Sequence, residues 1–124
     1  MAQAAVQPAA AMLQEARGRL LKGWSRGAQA RDSQGHVVLP WSDDAASWSL
    51  LGALLAAWNR QDRKEEADFV AHRADALGLG EATQALSKAT GTSALDRWND
   101  ANARNHTEVV GAVDRAIAVL YGGY

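Results

Sequence analysis

The chain reads as α+β and mainly α: four or five helices around a central apolar helix, with one small β-hairpin. Three observations predict this class. Apolar residues recur at three- and four-residue steps in several segments, the signature of buried helical faces. Between Trp24 and Leu39 the period drops to two around turn chemistry. A nearly all-apolar run from Ala45 to Trp58 needs protein on every side. With 124 residues, 48% of them hydrophobic, there is material for one core but not two.

The elements follow in order. Residues 1–8 are small and polar with Pro8, too poor in apolar surface to offset ordering, and are expected to form a loose tail before a single globular domain over 9–121. From Ala9 to Lys22, Met12, Leu13, Ala16 and Leu20 predict one buried helical face; Gly18 weakens this helix and Gly23 stops it. Trp24, Arg26, Ala28 and Ala30 then alternate with Ser25, Gly27, Gln29 and Arg31, Asp32-Ser33-Gln34-Gly35 supplies a turn, and Val37-Val38 favours a return strand. That hairpin needs another surface, because two strands alone are not stable.

Pro40 ends the strand. Ser42 followed by Asp43 and Asp44 has the form of an N-cap with acidic residues where the helix dipole favours them, so the next helix is expected to run from there to Asn59. Leu51, Leu54, Leu55 and Trp58 share its inner face, with Trp48 and Leu50 on the flanks. Gly52 costs helix propensity, which points to close approach by a neighbouring backbone or ring. Gln61 to Leu77 is a more polar helix with Phe69, Val70, Ala74 and Leu77 inward, closed by Gly78-Leu79, and a short helix follows from Glu81 to Ala89. Ser93 with Asp96 resembles a capping box, and Asn105 with Glu108 repeats the pattern before a last amphipathic helix carrying Val109, Val113, Ala116, Ile117 and Leu120. Gly122 and Gly123 end it, leaving 122–124 as a short tail.

Composition excludes several chemistries. There is no cysteine, hence no disulfide, thiolate catalysis or cysteine-based metal site. No secretory leader or membrane-length apolar run is present, so a soluble, cytoplasmic protein with no membrane partner is expected, in the host cytoplasm if phage-encoded. The net charge of −1 is unevenly spread: residues 1–31 carry Arg17, Arg19, Lys22, Arg26 and Arg31 against Glu15, a net of +4, and the remainder sums to −5. Such halves can complement each other within one fold.

Two clusters hold the candidate binding residues: Trp24, Arg26 and Arg31 near the start, and Trp98, Asn99, Asp100, Arg104 and His106 near the end. Trp98-Asn99-Asp100 can serve as a recognition patch with Arg104 and His106, or as a linker that caps and staples the last helix. Glu65, Asp68, His72 and Asp75 fall on one helical face, where an exposed polar surface explains them without a metal. His36 lies beside a turn glycine. None of Ser25, Ser42, Ser47 and Ser49 sits in an activated setting, and Gly78-Leu79-Gly80 lacks the context of a phosphate loop. No catalytic residue, cofactor or metal site is assigned.

Taken together, Trp24 to Asp32 with its Gly-Ala-x-Ala-Arg-Asp core, Gly35, the run Trp48 to Leu54, Trp98-Asn99-Asp100, Thr107-Glu108-Val109 and Asp114 to Ile117 resemble a family of small bacterial and phage proteins catalogued as domain of unknown function 6197. The likeness runs from about Met12 to Leu120. It implies bacterial or phage origin and no established activity, substrate or cofactor; members often carry Cys where this chain has Ser49. The leading functional expectation is a non-catalytic protein-binding module, an accessory or inhibitory factor of a phage or mobile element, since five tryptophans without a catalytic set favour a recognition surface. The alternatives are a nucleic-acid-associated protein using Arg17, Arg19, Lys22, Trp24, Arg26 and Arg31, and a small hydrolase in which Asp100 or His106 acts as acid or base in one cleft. A homodimer through the last helix or the hairpin edge is a further expectation.

Overall fold

The computed structural model describes residues 8–59, 68–101 and 104–122, with backbone alone at 8 and over 68–77. Along the chain run helix α1 (Pro8–Lys22), strands β1 (Ala30–Arg31) and β2 (Ser47–Trp48), and helices α2 (Leu50–Trp58), α3 (Asp68–Thr90), α4 (Leu95–Asp100) and α5 (His106–Leu120). The fold is α+β and mainly α, with one two-stranded antiparallel sheet. The expected tail and the helix start at Gln61 fall on residues 1–7 and 60–67, outside the described residues, as do the inward side chains Phe69 to Leu77 and the polar face of Glu65, Asp68, His72 and Asp75.

Helix α1 packs against α2, α3 and α5, and α3 against α5. Met12, Leu13, Ala16 and Leu20 are all buried, as their spacing predicts. Helix α2 is lined with leucine and alanine, and six of its nine residues are buried. Leu50 and Leu54 are fully enclosed, each contributing about 2 kcal/mol by leaving water. The inner face differs from the expected one. Leu51, Leu55 and Trp58 are only half-buried, whereas Leu50, Ala53, Leu54 and Ala57 point inward.

Helix α2 also starts later than Ser42. Ser49 is its N-cap, the hydroxyl accepting from Gly52 N at 3.0 Å. Ser42 instead organises a turn: its Oγ accepts from Asp44 N at 3.1 Å and its carbonyl from Ala45 N at 3.1 Å. The same side-chain-to-backbone bond that caps a helix also closes an isolated turn, which is why the motif misleads.

The sheet takes its second strand from further along the chain than expected. Ala30 pairs with Trp48 and Arg31 with Ser47, through Ala46 N to Arg31 O at 2.7 Å and Ser49 N to Gln29 O at 3.0 Å. The segment after the turn makes a single antiparallel bridge to the other side of β1, Arg31 to Val37. Asp32 builds the turn, its Oδ1 accepting from Gln34 N at 2.9 Å and His36 N at 2.8 Å. Trp24 bridges Trp48 in parallel on the far side of β2.

Two capping expectations fare differently. Asn105 and Glu108 form a complete reciprocal capping box on α5. Ser93 caps nothing: α4 begins after Ala94, which has no side-chain cap, and Thr92 Oγ1 takes the Ala94 N–H at 3.0 Å. Gly78 and Gly80 do not interrupt the third helix, which continues to Thr90 before Gly91 turns out with φ of +82°. Burial of Ala82, Ala85 and Leu86 outweighs the propensity cost of two glycines.

Candidate functional site

Asn99 lies at the centre of the two candidate clusters and is fully buried. Its Oδ1 accepts from Trp24 Nε1 at 2.7 Å and from Leu50 N at 2.9 Å. Its Nδ2 donates to Ser25 O at 3.1 Å and Asp100 Oδ1 at 3.0 Å. One amide therefore joins α4, the start of α2 and the loop after α1, and it satisfies one of the free N–H groups at the α2 N-terminus. Asp100 extends the tie, its Oδ1 accepting from Gly27 N at 3.0 Å. The triplet is a staple that fastens the 24–27 loop and α2, and its link to the last helix runs through Arg104, which stacks on Trp98 and pairs with Glu108 at 3.5 Å.

The surrounding cations are also engaged. Arg26 donates to Asp100 O at 3.1 Å and to Ala101 O, with its guanidinium 5.6 Å from the Trp24 ring centre. Arg31 donates to Gly35 O at 3.0 Å and Arg26 O at 3.2 Å, bracing the loop on both sides. Arg104 stacks on Trp98 at 3.8 Å and donates to Trp98 O at 2.9 Å. The His106 ring stacks on Trp24, centroids 6.1 Å apart, and its Nε2 bonds Leu20 O. Arg17 pairs with Asp114 at 2.6 Å and Arg19 with Glu15 at 3.0 Å. The structure thus brings Trp24, Arg26, Asn99, Asp100 and His106 together, with Arg31 and Arg104 at the margins, and binds each to its own fold.

Among the described residues, shallow depressions flank this knot. Gly27, Ala28, Gln29, Ser49, Asp96 and Asp100 enclose about 240 Å³. Asp96 also borders a second, of about 420 Å³, beside Leu51, Thr83 and Leu95. Burial, and then the nearby Asp100 carboxylate, push the Asp96 carboxyl above the ordinary aspartate range. His106 lines a third depression, of about 360 Å³, with Arg17, Leu21 and Val110. Among the described residues, Asp100 and His106 border different depressions. Among the described residues no group of three His, Asp or Glu side chains could hold a metal ion, and no helix is long and apolar enough to cross a membrane.

A different surface emerges after the Asp32 turn. Val37 and Leu39 are 66% and 59% exposed, among the most exposed large apolar side chains described. Their segment is held from behind: Val38 N donates to Ala30 O at 3.1 Å, and the buried Trp48 donates through Nε1 to Pro40 O at 2.8 Å. The Val37-Val38 pair signals a strand in the sequence, but it gives no sign that the strand lies at an open edge, because that depends on which segment fills the other side of β1.

A family of unknown function (DUF6197) matches residues 4–119. No curated protein and no solved structure matches the chain.

Proposed function

Because the chain belongs to the family of unknown function DUF6197, which supplies no activity to inherit, we propose on its geometry that it is a non-catalytic protein-binding module contacting its partner through the Val37–Leu39 edge. One observation carries this reading: two large apolar side chains stand in water on a segment held in place by β1 and Trp48, an arrangement that costs solubility unless something covers it. The knot around Asn99 supports the same reading indirectly. Its polar groups are consumed in fixing the loop and helix starts, so they serve as the frame of the surface. An accessory or inhibitory factor of a phage or mobile element is the biological role this reading favours.

A photo-crosslinking residue at position 37, compared with one at Gln14 on the exposed side of α1, tests the proposal in extracts of the native host. The expected result is one saturable adduct to a protein from position 37, competed by the unlabelled chain but not by a Val37→Lys/Leu39→Lys variant. Equal labelling from both positions, or adducts only to nucleic acid, would remove the reading.

A further inference from the structure

The Arg31–Val37 bridge decides which backbone groups of the edge are free. Its two hydrogen bonds run from Val38 N to Ala30 O at 3.1 Å and from Asp32 N to His36 O at 2.8 Å. They involve the residues on either side of Val37, so Arg31 and Val37 are a non-hydrogen-bonded pair, and the N–H and C=O of Val37 itself point away from β1. Neither has a partner among the described residues. The neighbouring acceptors are taken: Gly35 O by Arg31 at 3.0 Å and Leu39 O by Ser42 N at 3.0 Å. The register of any added strand is thereby centred on Val37.

Side chains and charge specify the rest. Val37 and Leu39, two residues apart beside the bridge and both exposed, offer apolar side chains to a strand added there. From Asp32 to Ala46 the chain carries Asp32, Asp43 and Asp44 and no lysine or arginine. The Asp32 carboxylate serves its own turn and faces His36 at 3.3 Å. Asp43 and Asp44 are exposed and have no ion-pair partner among the described residues. The turn closed by Ser42 N to Leu39 O keeps Asp43 within about 11 Å of Leu39, so its pull on a basic flank is strongest at low salt, where the screening length is about 10 Å or more.

We infer that the Val37–Leu39 edge takes up an extended segment of a partner protein as an additional β-strand, a segment with apolar side chains at its centre and lysine or arginine beside them. This rests on the edge being the contact surface and adds the conformation and charge of what binds. Main-chain bonds to Val37 supply the pairing, the two apolar side chains supply burial, and the aspartate pair selects the basic flank.

The test uses the full chain and the peptide Lys-Lys-Val-Val-Val-Lys-Lys, blocked at both ends. Its controls are the same peptide with glutamate for lysine and one N-methylated at the three valines. Amide NMR shifts on titration should move saturably at Val37 and Leu39 with the lysine peptide. Both controls should bind at least about tenfold more weakly, equivalent to about 1.4 kcal/mol. Asp43→Lys/Asp44→Lys should reverse the preference between the lysine and glutamate peptides. Equal binding of the two charge types, undiminished binding of the N-methylated peptide, shifts centred elsewhere, or no binding at millimolar peptide would each overturn the inference. A crosslink from position 37 to a partner segment that is helical or acidic would also overturn it while leaving the protein-binding proposal standing; absence of any crosslink there removes the proposal itself.

Discussion

Replacing Asn99 with alanine removes an acceptor shared by Trp24 and Leu50 and a donor to Ser25, leaving polar groups unsatisfied in two segments, the loop after α1 and the start of α2. A loss of about 3 kcal/mol or more in urea unfolding is expected. Asn99→Asp separates shape from hydrogen bonding: a buried carboxylate cannot donate to Ser25 O, so this variant should be least stable at neutral pH and recover as acid protonates it. Asp32 shows the opposite sign. Backbone donation from His36, then from Gln34, holds its carboxyl below the ordinary aspartate value. Its stabilising effect is present above the unfolded-state value of 3.8 and disappears as pH falls through the lower folded value, a dependence that Asp32→Asn should abolish in acid-unfolding curves. For Asp96, raised in the fold, stability declines as pH climbs from 3.8 through the folded value, so Asp96→Asn should unfold at higher urea at neutral pH. Of these roles only the local ones are legible in sequence. The Asp32 turn and the Asn105 cap bind residues two to four positions away, whereas Asn99 finds Leu50 49 residues distant and Trp24 75.

At the scale of elements, glycines test packing against propensity. A Cβ on Gly52 would overlap the Gln29 carbonyl, whose carbon lies 2.7 Å from where that methyl would sit, so Gly52→Ala should cost about 1–3 kcal/mol in urea unfolding despite the better helix former. Gly18 and Gly80 have nothing within 4 Å of the same position, and alanine at either should stabilise by up to about 1 kcal/mol in the same measurement. Asn105→Ala, which opens the capping box of α5, should cost about 1 kcal/mol. The close approach at Gly52 is legible because a glycine weakens a leucine-rich helix and suits it only where a neighbour leaves no room for a Cβ. The start of α2 is not. Ser42-Asp43-Asp44 and Ser49 both present an oxygen to a backbone N–H two or three residues ahead, and only the pairing of Ser47–Trp48 with β1 assigns the intervening residues to a strand.

For the whole molecule, the opposed charges of the first 31 residues and the remainder are partly spent inside the fold, as Arg17 with Asp114 illustrates. That pair is about half exposed on both sides, so charge reversal at Arg17 should change stability by no more than about 1 kcal/mol and less in high salt. The class of the fold and the burial of α1 and α5 follow from periodicity, but the exposure of Val37 and Leu39, on which the proposed contact surface rests, could not be placed from residue types. Tryptophan and arginine mark interfaces on average, yet here Trp24, Trp98 and their arginines are spent on one another and on backbone carbonyls.

The knot at Asn99 also imposes an order of events on biosynthesis. Loop 24–27 and the first turn of α2 are translated well before the amide that secures them. Until that residue clears the ribosome, the Trp24 indole lacks the amide oxygen that holds it in the fold; slowing translation ahead of codon 99 is therefore expected to lower the yield of intact protein.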